Sequence, residues 1–232
     1  MTDDIGERMR RDWDARAKED ARHYIATGES DGVLFSLSGC RDAYRILEEL
    51  HPRLRRDMRV LEIGCGIGRL VQFLALIFDE VHGVDVSREM VEQGRAFLAR
   101  HENAHLHAGD GRSLAMFPDA HFDLVLSYVV FQHIPDKDVV RRYVAEARRV
   151  LRPGGLFKYL VKTTPWEAQG DEHDTWHGVE ITREDVEGWN EELGFELVNG
   201  YTGDDPTTAW VVARVGEAGE SRGEQREQGR GR

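Results

Sequence analysis

The sequence predicts an α/β domain: a doubly wound, mostly parallel sheet of seven strands whose last strand runs antiparallel. Three observations predict it. Apolar runs of strand length alternate with segments of helical periodicity through residue 161, and that alternation implies right-handed crossovers and a parallel sheet. One strand–turn–helix junction, Val60-Leu61-Glu62-Ile63-Gly64-Cys65-Gly66-Ile67-Gly68-Arg69, has the layout of a nucleotide-binding turn. The missing Cβ atoms let a ligand lie against the backbone, and the helix opening offers unpaired N–H groups. The chain then finishes on two strands in succession, Phe195 to Tyr201 and Thr208 to Val215, the second alternating as an antiparallel strand does.

Ile5, Met9, Trp13 and Ala17 recur every four residues and continue to Ala21, Tyr24 and Ile25, which predicts an amphipathic helix ending near Thr27-Gly28. Glu29 to Gly39 reads as a polar loop. Arg41 to Leu50 reads as a second helix, stopped by His51-Pro52. After the glycine turn, Leu70 to Phe78 is helical. Glu80 to Val86 is the second strand, and Ser87 caps the helix that follows. Ala104 to Ala108 is the third strand and Phe122 to Tyr128 the fourth. Asp136 caps a helix with Val139, Val140, Tyr143, Val144, Ala147 and Val150 on one face. Arg152-Pro153-Gly154-Gly155 ends it, and Leu156 to Val161 is the fifth strand. Thr182 opens a helix with a capping-box partner at Asp185, and Gly194 closes it. Residues 1–52 read as an N-terminal helical lid, 53–215 as the ligand-binding domain, and 216–232 as a disordered tail with no apolar residue larger than Ala218.

The chain has 232 residues and a formal net charge of −12. The tail holds four Glu and four Arg, so the folded part carries the whole charge. An acidic body argues against nucleic acid or an anionic membrane as partner. Only Cys40 and Cys65 are present, no signal peptide or spanning run is visible, and a reducing cytoplasm is expected.

The glycines are spaced G-x-G-x-G, and Arg69 stands where a dinucleotide fingerprint wants its third glycine. Glu62, just ahead of the turn, would repel a pyrophosphate and suits a cationic amino-acid group. Leu61 to Gly68 resembles the first motif of the class I, Rossmann-like S-adenosylmethionine-dependent methyltransferases, a likeness that spans residues 58–215. The resemblance implies a cofactor without phosphate, bearing an α-ammonium and a sulfonium.

Ligands of open α/β sheets sit outside the carboxyl ends of the strands, so the residues there are the candidates. The first strand ends on Gly64, Cys65, Gly66 and Gly68, and the second on Asp85 and Val86, where a carboxylate can accept two ribose hydroxyls. The third ends on Asp110 and Gly111. The resemblance implies that an acidic residue here accepts from the adenine amino group, although Asp-Gly is also an ordinary turn. The fourth ends on Ser127 and Tyr128, followed by Phe131-Gln132-His133-Ile134, which the resemblance places over the cofactor and substrate cavity. His133 is the candidate general base, with a packing role as its alternative; alignment alone can suffice for methyl transfer. Trp13, Tyr24, Trp166 and Trp176 are candidate lid or substrate-pocket residues.

Asp171, His173, Asp174 and His177 sit among Pro165, Gly170 and Gly178, which favours a polar loop over a metal site, and no metal is expected. His101, His105 and His107 read as surface residues around the third strand. The functional expectation is methyl transfer from S-adenosylmethionine to a small molecule. The alternatives are an NAD-dependent oxidoreductase, which Arg69 argues against, and a non-catalytic binder of S-adenosylmethionine. The stretch Ser127-Tyr128-Val129-Val130 lacks the Asn-Pro-Pro-Tyr pattern of DNA adenine methylation. The motifs leave the acceptor atom and the oligomeric state open.

Overall fold

The computed structural model describes residues 4–26, 28, 30–165, 175–203 and 205–217. The strands are β1 (Arg59–Ile63), β2 (Glu80–Asp85), β3 (Ala104–Ala108), β4 (Phe122–Ser127), β5 (Leu151–Lys162), β6 (Phe195–Thr202) and β7 (Thr208–Val215). They form one sheet in the order β3-β2-β1-β4-β5-β7-β6. Every pair from β3 across to β5 is parallel, whereas β7 runs antiparallel to both β5 and β6. The expected seven-stranded sheet is therefore present, with the last strand inserted between its two neighbours.

Chain order reverses between β1 and β4, and the register makes their ends level. Ile63 lies beside Ser127 on one side and Val84 on the other. That is the crevice where a doubly wound sheet binds its ligand.

The helices are α1 (Ile5–Ile25), α2 (Gly32–Glu48), α3 (Val71–Ile77), α4 (Arg88–Phe97), α5 (Lys137–Val150) and α6 (Arg183–Leu193). On one face of the sheet, Leu61, Val125 and Phe157 pack with Tyr143, Val144 and Ala147 of α5 and Trp189 of α6. On the other, Val60, Val81 and Leu124 pack with Leu74 of α3, Val91 of α4 and Ile46 of α2. Burial of these side chains, worth about 1.5–3 kcal/mol each, makes two cores around one sheet. Thus α2 belongs to a core layer, while α1 lies across the carboxyl ends of the strands. Gly6 sits so close to Asp110 that a Cβ would be 2.4 Å from its carbonyl oxygen.

Several caps are those the sequence predicts. Ser87 Oγ accepts from Met90 N at 3.0 Å. Asp136 caps α5, Thr182 and Asp185 form a complete capping box, and Gly194 closes α6 at φ +73°.

Two segments differ from expectation. Glu29 to Gly39 is not a loop throughout, because α2 starts at Gly32. The Asp31 carboxylate accepts from Val33 N and Leu34 N, both at 2.9 Å, and Phe35 is fully buried against Phe97. Exposed Val33, Leu34 and Leu37 blur the helical pattern in the sequence. Gly39, which weakens the pattern further, is needed for a close crossing: a Cβ there would lie 2.6 Å from Arg69 O. The second difference is β5, which begins at Leu151 instead of Leu156. Leu151 pairs with Phe122, the ladder shifts, and pairing resumes at Leu124 and Leu156. The Arg152-Pro153-Gly154-Gly155 turn is absorbed as an irregularity in the strand, with Gly154 at φ +78°.

The tail beyond residue 217, Trp166 and the cluster residues Asp171, His173 and Asp174 lie outside the described residues. No helix among the described residues is long and apolar enough to cross a membrane.

Candidate active site

A cavity of about 330 Å³ opens at the crevice, within the range that takes a small ligand. Its floor is the glycine turn. Gly64, Gly66 and Gly68 all have positive φ, at 73°, 53° and 88°. Gly64 N and Cys65 N both donate to Val84 O, at 2.7 and 3.1 Å, which ties the turn to β2. The turn is tightly enclosed: a Cβ on Gly64 would stand 2.2 Å from Val130 Cγ2, and one on Gly66 2.6 Å from Ile25 Cδ1. Only glycine meets both the backbone and the space requirement here.

Two carboxyl groups face this cavity, and burial alters both. Glu62 is 3% exposed. Burial pushes its pKa up to about 8; nearby Arg69 opposes that shift and Asp85 adds to it. The Glu62 Oε2 atom has no hydrogen-bond partner among the described residues. Asp85 accepts from Gly66 N and Ser87 N, both at 2.8 Å. Burial raises its pKa to about 6, with the Ser87 and Gly66 N–H bonds restraining the rise. The Cys65 thiol is likewise pushed up by burial.

Arg69 also lines the cavity. It forms a buried ion pair with Asp42 of α2 at 2.7 Å and touches Ser38 Oγ at 3.3 Å. Its Nε is buried without a partner among the described residues. Sequence reasoning used Arg69 only as a missing glycine. Its position next to Glu62 was not legible, because it depends on how α3 is seated by α2.

The roof is aromatic. The rings of Trp13 and His133 are 5.3 Å apart, those of His133 and Trp176 4.8 Å, those of Trp13 and Trp176 6.0 Å, and those of Tyr24 and Trp176 5.9 Å. The Arg16 guanidinium lies 4.9 Å from the Trp13 centroid, within cation–π range. His133 Nδ1 is 2.5 Å from Trp176 O. A carbonyl only accepts, so Nδ1 carries the proton and the basic lone pair is on Nε2. That atom lies 3.3 Å from Gln132 Nε2, an amide donor. Val129, between β4 and this segment, has φ +58°, a strained value for a β-branched residue and typical of a functional turn.

α1 is fastened over the site by Asp14, whose Oδ1 accepts from Ser87 Oγ at 2.7 Å and from Glu89 N at 3.1 Å. It therefore helps cap α4 from outside that helix.

Of the residues singled out in the sequence, Glu62, Gly64, Cys65, Gly66, Asp85, Val86, Gly111, Tyr128, Gln132, His133, Trp13, Tyr24 and Trp176 all line this one cavity. Three do not. Gly68 packs under Leu98, where a Cβ would approach to 2.6 Å. Ser127 is buried in β4. Asp110 is exposed, and its carboxylate turns back to accept from Arg112 N at 2.8 Å and Ser113 N at 2.7 Å. Met9, Ile25, Arg69, Met90, Val130 and Tyr143 are among the other lining residues, with no signal in the sequence beyond ordinary apolar or charged positions.

A seven-stranded sheet of this order, with a glycine turn at its switch point and flanking carboxyl groups, is the α/β architecture of the methyltransferase type. Residues 60–155 match the family profile described as a methyltransferase domain. Over that stretch the chain is similar to the class I, Rossmann-like S-adenosylmethionine-dependent methyltransferases. It is 31% identical over 150 residues to an uncharacterized methyltransferase, YcgJ, of Bacillus subtilis, covering 64% of this chain and 52% of that protein. It is 34% identical over 115 residues to the demethylmenaquinone methyltransferase of Staphylococcus aureus, covering 48% and 46%. The chain thus spans about half the length of these curated relatives. Among solved structures, magnesium protoporphyrin IX methyltransferase of Synechocystis, with S-adenosylhomocysteine bound, superposes with a TM-score of 0.68. It is 16% identical, over 91% of this chain and all of that one. YcgJ itself superposes at 0.60, with 20% identity, over 75% of this chain and all of that one. At these identities the structural likeness concerns the fold.

Proposed function

We propose that the protein transfers the methyl group of S-adenosylmethionine to a small-molecule acceptor, leaving S-adenosylhomocysteine. The observation that carries this reading is the pair of unsatisfied buried atoms on one cavity wall. Among the described residues, the buried carboxyl oxygen Glu62 Oε2 has no hydrogen-bond partner and Arg69 Nε is a donor with no acceptor. A buried polar atom left unpaired costs about 1–3 kcal/mol, and a zwitterionic amino-acid group relieves both. Its α-ammonium suits Glu62, and its α-carboxylate suits Arg69. A dinucleotide supplies no such group.

Within this reading Gly64 to Gly66 cradle the methionine part, and Asp85, beside Val86, faces the ribose hydroxyls. The base lies toward Gly111 under Met9; the Asp110 carboxylate, engaged in its own turn, is the weakest of the assigned contacts. The bound cofactor supplies an electrophilic methyl group on a sulfonium. The chain's own part is to exclude water with α1 as a lid, to align the acceptor beneath Trp13 and Trp176, and to receive its proton on His133 Nε2. The Nδ1–H bond to Trp176 O holds that imidazole in the basic tautomer. Gln132, which occupies Nε2 now, must yield to the acceptor.

A small acceptor is favoured by the net charge of −12, which disfavours nucleic acid, and by the aromatic roof. Relatives named for a quinone and for tocopherol point to ring-bearing acceptors. The free thiols of Cys40 and Cys65 suit a reducing compartment such as the cytoplasm.

The test is calorimetry with S-adenosylhomocysteine, 5′-methylthioadenosine and NAD, followed by an acceptor panel read by S-adenosylhomocysteine release. S-adenosylhomocysteine should bind at least tenfold tighter than 5′-methylthioadenosine, which lacks the amino-acid group, and NAD should not compete. Tight NAD binding with silent S-adenosylhomocysteine would overturn the reading. Binding without turnover on any acceptor would leave a non-catalytic binder. His133→Ala should remove the acidic limb of the pH–rate profile if Nε2 takes the proton, and should lower the rate at every pH equally if the ring only packs.

A further inference from the structure

We propose a second site, for a divalent transition-metal cation of the zinc class, at the opposite end of the sheet from the cavity. Its ligands are Glu80, His82 and His121. Glu80 and His82 open β2, and His121 immediately precedes β4, so all three stand at the amino ends of parallel strands, whereas the cavity lies beyond the carboxyl ends. One ligand atom from each lies within 4.8 Å of the others. Two imidazoles and a carboxylate are the donor set that borderline divalent cations prefer.

The local contacts are those of a site with its outer partners in place. His82 Nε2 and Glu80 Oε1 are 2.9 Å apart. Two ligands held about 2.1 Å from a zinc ion in tetrahedral geometry stand roughly 3.4 Å apart, so a cation can replace the proton between them with little movement. His82 Nδ1 is 3.0 Å from His107 Nε2, which gives the ligating ring the second hydrogen bond that metal-bound histidines normally make. The edges and faces of Phe117 and Phe122 hold the His82 ring, with centroids at 5.7 and 5.3 Å. Arg59 Nε donates to the other carboxylate oxygen, Glu80 Oε2, at 2.6 Å, fixing the orientation that leaves Oε1 for the cation.

Arg59 also opposes the site. Its Nη1 is 3.2 Å from His121 Nδ1 and 3.3 Å from His121 O. A cation takes the ring nitrogen, and Arg59 keeps the carbonyl oxygen. Half-buried His121 makes the remaining adjustment by turning its ring. The guanidinium charge makes this a weaker site than one without it.

Nothing in the spacing of the sequence discloses the cluster, because His82 and His121 come from segments 39 positions apart. The parallel register brings His105 beside His82 and His107 beside Val84, and side chains two apart on a strand share a face.

The test uses the full chain, metal-stripped and without an affinity tag. Equilibrium dialysis against zinc chloride should find one equivalent bound, and cobalt chloride should give the visible absorption of a low-coordinate ion. His121→Asn and Glu80→Gln should each weaken binding at least tenfold, while His51→Asn, on an exposed turn outside the cluster, should leave it unchanged. Histidine ¹H–¹⁵N spectra of the unaltered protein need no variant: the His82 and His121 rings should shift together on zinc addition. Absence of stoichiometric zinc binding overturns the proposal. So does binding that survives both ligand substitutions, or histidine shifts confined to other rings.

Discussion

Glu62→Gln should convert a pH-dependent protein into one far less so. The Glu62 carboxyl is pushed by burial from an ordinary 4.5 to about 8 in the folded state. In the unfolded chain it ionises above about pH 4.5, while the folded protein keeps its proton to about pH 8, so the folded state binds one more proton across that window. Stability is therefore fully present below pH 4.5 and is lost as pH rises through 8, at about 1.4 kcal/mol per pH unit. Over the window this amounts to roughly 5 kcal/mol, an order-of-magnitude figure. Urea unfolding of both proteins from pH 5 to 8.5 should show the wild type losing ground steadily to the glutamine variant. The same group predicts a binding signature. At pH 7 about nine-tenths of Glu62 is protonated, so docking an α-ammonium should release close to one proton. Asp85, raised only to about 6, adds little at that pH. Calorimetry of S-adenosylhomocysteine in two buffers of different ionisation enthalpy measures the release, and Glu62→Gln should abolish it. Parallel stability profiles, or undiminished proton release in the variant, would refute the placement of a neutral carboxyl at the ammonium subsite.

Gly64→Ala places a Cβ 2.2 Å from Val130 Cγ2 at φ +73° and should cost about 1–3 kcal/mol, read by thermal unfolding; an unchanged melting temperature would mean the turn relaxes freely. Asp85→Asn removes the charge that accepts from Gly66 N and Ser87 N. It should weaken S-adenosylhomocysteine binding by about 1.5–3 kcal/mol, and undiminished affinity by calorimetry would remove Asp85 from the site. Asp14→Ala frees α1 from Ser87 and Glu89. A lost cap is worth about 1 kcal/mol, so the S-adenosylhomocysteine dissociation rate in stopped flow should rise about fivefold; an unchanged rate would mean that α1 does not gate release.

The strand–turn–helix junction was legible because each of its requirements is local. Positive φ demands glycine, and a buried parallel strand demands an apolar run; the starts of α4 and α6 were legible for a similar reason, since Ser87 and Thr182 cap them locally. Asp85 and the Gln132-His133 pair could be placed because residues at strand ends share one rim of a parallel sheet. Asp110 shows the limit of that logic. It stands at the right strand end, yet its side chain satisfies two nearby N–H groups first, as aspartates before glycine do. The start of α2 was missed because its exposed apolar residues and two glycines contradict a helical pattern that Asp31 and Phe35 nonetheless impose. Arg69, Asp14 and the histidines at the amino end of the sheet were beyond reach, since their partners lie 27, 73 and 39 positions away.

By itself the sequence determined the order of elements, the glycine turn and the carboxyl groups at the strand ends, because backbone sterics and hydrophobic periodicity act over a few residues. Only the tertiary structure decided which charges are buried together. Those charges set the protonation of Glu62, the orphaned Nε of Arg69 and the grouping of Glu80, His82 and His121. Desolvation and Coulomb terms depend on distance through space, and the packing of α1 and α2 against the sheet sets those distances.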